Sequence, residues 1–560
     1  MTLNKLQNFA NYNQIIQNTR GKKNTSAFGV CKKQKSFVAG MLPQFVLYVA
    51  SDYVTAQDTL AQLNAFGKKY AYLPAKEEVL VSNKGSSVSS RALRSQVLFA
   101  MHNGLDGVVT TIDALCQKYP RKDSFFANVI SLQKNGSDDI FALAKRLVKA
   151  GYCQVDEITV MGDFTRRGDM LDVYCPGYDN PVRIEFFGDE IDDIRVFDKQ
   201  TKKSISKINK VDIVPLNQFF DGDFDEEPLY QQLWSSSRKQ KLDPDAQTRL
   251  DTVIEGVVLG VENQNYSNGW LLPFVKNSVL ADYLPTDTAI IWDEPKQTWD
   301  KVASIYDEHY QRVAYLLSKG EVLPESKDQL VERNVLFGLY DNFAQTAFQG
   351  MSATNGFFNA KQVQKFRSTP LVAYQNKMQM LCDDLKNWVV NNYRVILYAS
   401  DEQSAKLLQD ELKYQGILVG ICDDEDFLQK GVSVCKKNIP YGFVDHDNKL
   451  VLIGIFDVLS KSAKKQKLKK SNEKIFTTPD IGDYVVHELH SIGLCQGIES
   501  IETTHGTKDY IVVKYKNQDT LYVPVDATNL LSKYSGNIRR ILQKLFWNVK
   551  GKTNFPKGKL

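Results

Sequence analysis

The run Gly29-Val30-Cys31-Lys32-Lys33-Gln34-Lys35-Ser36 holds the first glycine, the lysine and the hydroxyl residue of the phosphate-binding pattern GxxxxGK[ST], with Gln34 where the second glycine belongs. In that pattern the glycines let backbone N–H groups curl round phosphate oxygens, and the lysine reaches the terminal phosphates. A side chain at position 34 restricts the backbone and fills the cradle, so the segment reads as the relic of a nucleotide loop. Asp293-Glu294 ends an apolar run, where a motor protein would hold magnesium and water. With no working loop to serve, this pair reads as structural. The eight cysteines are scattered without a CxxC, and His487-Glu488-Leu489-His490 lacks the histidine spacing of HExxH. No catalytic residue and no metal site are expected, and recognition is the chemistry left to look for.

The stretch 162–198 supplies it. Val182, Ile184 and Phe186 alternate with Arg183, Glu185 and Phe187, and a period of two sends the sets to opposite faces of a strand. Gly188-Asp189 is a hairpin signal, Ile191 to Phe197 reads as the return strand, and Met170 to Tyr174 follows the Arg166-Arg167-Gly168 turn. The unit is a small antiparallel sheet whose outer face carries Arg167, Arg183 and Phe187. Arginine and large aromatics on a solvated face are the residue types that dominate interface energetics.

At 560 residues the chain is too long for one core and is expected to hold several domains. Its composition, 43% apolar and 24% charged with a net charge of +4, is globular and only weakly biased towards acidic partners. Widely spaced cysteines suit a reducing compartment, and no signal pattern or membrane-length apolar run is seen, so a cytoplasmic protein without membrane partners is expected. Phe45 to Ala50, Ser51-Asp52 and the pattern of Ala56, Leu60 and Leu63 read as strand, cap and helix, with further strands at Tyr70 to Leu73, Gly107 to Thr110 and Ala289 to Trp292. Such alternation argues for an α/β layer with a parallel sheet. Asp221 to Pro228 reads as a solvated acidic loop. A second α/β unit follows Leu371, with strands Arg394 to Ala399 and Leu450 to Ile455 and a cap at Ser400-Asp401. Then comes a lysine-rich stretch, 461–474, which reads as a linker.

Four short strands, Tyr484 to His487, Ile492 to Glu499, Tyr510 to Tyr515 and Thr520 to Val525, make the last folded piece, of SH3-barrel size. In Tyr510 to Tyr515 both alternating sets are apolar. A small barrel needs one, so Ile511 and Val513 are expected outside, where they could add to a partner's sheet edge.

Two of these pieces carry a resemblance. GDYVVHELHSIG and DTLYVPVDATNLLSKYSG resemble the RNA polymerase-interacting domain of the Mfd family of transcription-repair coupling factors, shared with CarD regulators. RIEFFGDE and its surroundings resemble that family's second domain, which is similar to the UvrA-binding domain of UvrB. The resemblance implies that Arg167, Arg183 and Phe187 contact UvrA and that the C-terminal domain docks on the RNA polymerase β subunit. It also implies a UvrB-like motor half with a degraded nucleotide loop, interrupted by the sheet domain. The fold expected is multidomain α/β and α+β: 1–118 and 216–345 form the motor-like half, 119–215 the sheet domain and 346–460 a further α/β domain. A linker at 461–478 leads to the CarD-like domain at 479–537. Residues 538–560 are similar to the start of the family's relay helix, so the translocase that uses ATP and magnesium on DNA is expected to be absent. A UvrB-like helicase subunit and a CarD-like regulator are the competing readings; Gln34 opposes the first, the Arg167, Arg183 and Phe187 pattern the second.

Overall fold

The computed structural model describes residues 6–76, 88–262, 269–350, 358–375, 377–422 and 430–458, and the strands within 484–487, 491–503, 506–514, 520–524 and 531–533. The chain divides into two compact units, Met1–Lys464 and Lys465–Leu560. The lysine-rich stretch and the residues similar to a relay helix lie outside the described residues.

The first unit is built on a seven-stranded parallel sheet. Its order is Gln362–Lys365, Thr25–Phe28, Ala344–Gln349, Ala289–Asp293, Val46–Ala50, Gly107–Thr111, Tyr70–Leu73. Val46–Ala50 and Ala289–Asp293 are buried along their whole length, as strands covered by helices on both faces must be, and this is why they read as unbroken apolar runs. The expected cap is present: the Asp52 carboxylate accepts from the Thr55 backbone N–H at 2.8 Å and starts helix Tyr53–Ala65.

Inserted after the Gly107–Thr111 strand is a six-stranded sheet, ordered Ser204–Lys207, Glu190–Phe197, Val182–Phe187, Met170–Val173, Asp163–Arg167, Cys153–Gln154. All neighbours are antiparallel except the last pair. Its inner face packs Phe164, Leu171, Val173, Val182, Ile184 and Ile194 against helix Ile140–Lys149. Apart from Ala92, the core of this domain runs from Ile130 to Leu216, whereas Tyr119 and Phe125 belong to the core of the parallel sheet, so the boundary expected at 119 moves to about 130. The Asp221 to Pro228 stretch is also corrected. Glu226 and Glu227 form the first turn of helix Glu226–Lys239 and Arg238 and Lys239 its last, an arrangement favourable to the helix dipole at both ends.

A second α/β sheet follows, ordered Ser368–Pro370, Phe443–Asp445, Leu450–Ile453, Arg394–Ala399, Gly431–Lys436, Val419–Cys422. Because Ala344–Gln349 and Gln362–Lys365 pair within the first sheet, the boundary expected at 346 falls instead between Lys365 and Ser368. The two α/β sheets share a core in which Phe37 meets Phe443, ring centroids 4.9 Å apart.

The second unit is a five-stranded antiparallel sheet ordered Thr520–Pro524, Gly506–Lys514, Ser491–Thr503, Tyr484–His487, Leu531–Lys533. The strand read as a docking edge is interior to it, paired on both sides.

Candidate functional site

The outer face of the inserted sheet brings the three predicted residues onto one surface. Register aligns Thr165, Asp172, Arg183, Arg195 and Lys207 in a row across five strands, and Arg167, Met170 and Glu185 in the next. Phe187 lies one step further, beside the hairpin, with 82% of its surface in solvent. Val182, Ile184 and Phe186 turn inward, so the alternation read from the sequence is the alternation of the strand. Gly188 takes φ of +62°, a conformation that a tight turn gives to glycine at no steric cost.

The arginines are not idle on this surface. Arg183 makes a bidentate pair with Asp172 (Nε to Oδ1 2.7 Å, Nη2 to Oδ2 2.8 Å) and lies over the Phe197 ring at 4.8 Å from its centroid. Arg195, directly across from it, pairs with Glu185. Arg167 is exposed and donates from Nη2 to the Asp156 carbonyl at 2.6 Å. A planar guanidinium held by a fork arrives pre-aimed, with little rotamer freedom left to lose on meeting a partner. Asp172 and Met170 escaped the sequence reading as members of this face, because only strand register shows who stands beside whom.

The Gly29–Ser36 segment links strand Thr25–Phe28 to helix Lys32–Met41 and borders a cleft of about 520 Å³. The chain itself occupies part of this segment's backbone. The Cys31 backbone N–H donates to Ser368 Oγ at 2.8 Å, and that hydroxyl donates to the Gly29 carbonyl at 2.8 Å. Gly29 has φ of +71°, and a β-carbon there would stand 2.1 Å from the Phe366 carbonyl oxygen. Gln34 is fully buried and donates to the Tyr12 hydroxyl at 2.7 Å, which donates to Asp445 Oδ2 at 2.7 Å. The residue replacing the second glycine therefore belongs to a relay that fastens the second α/β sheet to the first. Burial, with Asp445 beside it, pushes the Tyr12 phenol well above its ordinary range.

Lys35 meets the acidic pair. Its Nζ lies 2.6 Å from Asp293 Oδ1 and 2.7 Å from Glu294 Oε1, inside the fold. Burial alone would lower the lysine, but the two carboxylates outweigh it and hold the ammonium charged. Burial raises Asp293, and Lys35 offsets this only in part. Glu294 sits at φ of +49° and also accepts from the Gly350 N–H at 3.1 Å. Ser36 is buried within the helix. Among the described residues no cluster of His, Cys, Asp or Glu has the arrangement to hold a metal, and no helix is long and apolar enough to cross a membrane.

In the C-terminal sheet, Ile511 and Val513 are 1% and 0% exposed and Val512 4%. The expectation that Ile511 and Val513 lie outside is overturned. Residues of both alternating sets are buried, Ile511 and Val513 on one side and Val512 on the other, and the strand is paired along both edges with Ser491–Thr503 and Thr520–Pro524.

Two stretches of the chain match known family models. Residues 130–219 match the family model of the UvrB interaction domain, and residues 480–535 that of the CarD-like/TRCF RID domain. The first match coincides with the core that runs from Ile130 to Leu216. The chain is 26% identical over 476 residues to the transcription-repair-coupling factor of Bacillus subtilis, covering 80% of this chain and 40% of that protein. It is 27% identical over 424 residues to that of Staphylococcus epidermidis, covering 72% and 35% respectively. The chain thus spans about 40% of the length of the Bacillus subtilis relative. Two domain models and these relatives carry the resemblance to the transcription-repair coupling factors.

Proposed function

We propose that this chain is a recognition module of transcription-coupled DNA repair, bridging RNA polymerase and the UvrA repair machinery. The observation that carries this reading is the outer face of the inserted domain. Arg167, Arg183 and Phe187 stand together on a surface that needs none of them for its core, within the stretch similar to the UvrB interaction domain. Arg183 can exchange Asp172 for an acidic group of a partner, and Phe187 offers a large apolar contact already in solvent.

For the polymerase, docking falls to an outer strand of the C-terminal sheet, which is proposed to be a small barrel of SH3 size. Thr520–Pro524 and Leu531–Lys533 each have one neighbour among the described residues, so either leaves backbone groups to pair with an added strand. The Gly29–Ser36 segment is proposed to be a nucleotide loop converted to a structural joint, with ATP and magnesium having no role at Lys35. Ser368 on the cradle and Lys35 on both carboxylates support this.

The test of the central claim is a pull-down with purified UvrA. Arg167→Ala and Arg183→Ala are each expected to cost about 1 to 3 kcal/mol of binding, as interface anchors do. A double variant that holds UvrA as well as the parent would assign the interface to another surface.

A further inference from the structure

No aspartate or glutamate occurs before Asp52 or between Asp341 and Asp383. The fold joins these two acid-free stretches: Thr25–Phe28 pairs in parallel with Gln362–Lys365, which is the edge of the seven-stranded sheet. Thr25 stands beside Gln362, Phe28 beside Lys365, and the Lys361 N–H donates to the Asn24 carbonyl at 2.8 Å. Lys22 and Lys23 form the turn before the inner strand, and Arg20 ends helix Ala10–Arg20, which packs against the edge strand. Arg20, Lys22, Lys23, Lys361 and Lys365 are all exposed, and none makes an ion pair among the described residues. Lys22 spends one hydrogen on the Asn342 carbonyl at 3.2 Å, and Arg367 beyond the strand is paired with Asp447 at 2.6 Å.

We infer that this edge binds the phosphate backbone of a nucleic-acid duplex. Five cations that make no ion pair among the described residues, gathered at one sheet edge, make a local field of positive sign. The exposed amides of Asn13 and Gln17, on the adjoining helix, add neutral hydrogen-bond donors of the kind that position a phosphate chain. No exposed aromatic ring stands among these residues, so the stacking platform of a single-strand binder is missing and the backbone of a duplex is the better fit. The contrast with the other lysine-rich edge is informative. On Ser204–Lys207 and its flanks, Lys202 pairs with Glu157, Lys207 with Asp193 and Lys210 with Asp212, leaving far less net charge to offer. Lysines on an edge also guard against strand addition, but that role does not require neighbours stripped of acids. The inference rests on charge and register alone and stands apart from the UvrA and polymerase readings.

The experiment is fluorescence anisotropy of a labelled 20-base-pair DNA duplex with the full chain between 50 and 200 mM NaCl. The variant carries Lys22→Gln, Lys23→Gln, Lys361→Gln and Lys365→Gln, all at exposed positions, and its melting temperature is checked against the parent. Each phosphate contact contributes about −0.9 to the slope of log K against log[salt], so the variant's slope is expected to be shallower by about 3 to 4. Affinity at 50 mM should fall by at least about tenfold. A parallel variant neutralises Lys464, Lys465, Lys467, Lys469 and Lys470. An unchanged slope in the edge variant, with all binding lost in the 464–470 variant, would overturn the inference. Tighter, edge-dependent binding of a dT20 strand would overturn the duplex assignment, whereas equal binding of an RNA duplex would support the backbone as the feature read.

Discussion

The inserted sheet and the Gly29–Lys35 cleft use the same chemistry, a cation held by carboxylates, to opposite ends. At the sheet face Arg183 is forked to Asp172 but keeps 24% of its side-chain surface in solvent, with Phe187 exposed further along the same face. In the cleft Lys35 and Asp293 are buried as a pair, with Glu294 partly exposed as the second carboxylate on Lys35, and Gln34 is turned inward to Tyr12. A surface pair trades partners at small cost because water screens both states. A buried pair cannot, because removing either member leaves a charge without solvent. Exposure, more than residue type, separates the proposed recognition face from the architectural pair.

The sharpest break in that comparison comes from the C-terminal sheet, which repeats the buried case. Ile511→Arg places a guanidinium at a buried position of an interior strand, and is expected to unfold this sheet, seen as loss of its protection in hydrogen exchange. A folded sheet with an arginine at 511 would return the residue to the surface. Next in size, Lys35→Ala leaves two carboxylates facing one another, and should lower unfolding free energy by about 3 to 5 kcal/mol in urea denaturation. A loss below about 1 kcal/mol would make the cleft behave like the exposed face.

Asp457 is the intermediate case, a buried carboxylate that accepts from the Gly442 and Gly454 N–H groups at 2.7 and 2.8 Å. Burial pushes its acid up to about 6, from 3.8, despite those two donors. The folded state therefore holds a proton that the unfolded state has lost between about pH 4 and 6, and stability falls as pH rises through that window, by at most about 3 kcal/mol. Asp457→Asn keeps an acceptor for both N–H groups and should flatten this part of the profile in denaturation series from pH 4 to 7. An unaltered profile would assign the dependence elsewhere. Smallest of all, Phe187→Ala should change the melting transition by less than about 0.5 kcal/mol, while weakening UvrA capture. A clear loss of stability would show that Phe187 supports the hairpin, removing it from the free face.

Much of the architecture was legible in the chain because burial on both faces leaves an unmistakable run. Tyr70–Leu73, Arg394–Ala399 and Tyr484–His487 fall where the apolar pattern puts them, and Asp52 and Asp401 cap the helices expected of them. Thr25–Phe28, Ala344–Gln349 and Gln362–Lys365 were not legible. Ser26, Thr346 and Gln349 are polar yet buried, with Gln349 donating to Ser26 and the backbones paired in the parallel ladder, and hydropathy alone gives such strands no signature. Missing them also displaced the boundary between the two α/β sheets.

The sequence by itself determined that Arg183, Glu185 and Phe187 share a face, since a strand has only two and their spacing fits one. It also determined that Gln34 denies the loop its second glycine. What it could not decide was where opposing charges go, because pairing is set by register between strands distant in the chain. Asp172 beside Arg183, Asp293 and Glu294 beside Lys35, and Asp445 beyond Tyr12 and Gln34 are all products of tertiary placement. Ile511 and Val513 show the same limit. An apolar residue states that it prefers to be covered, and only the neighbouring strands state whether the cover is the chain's own or a partner's.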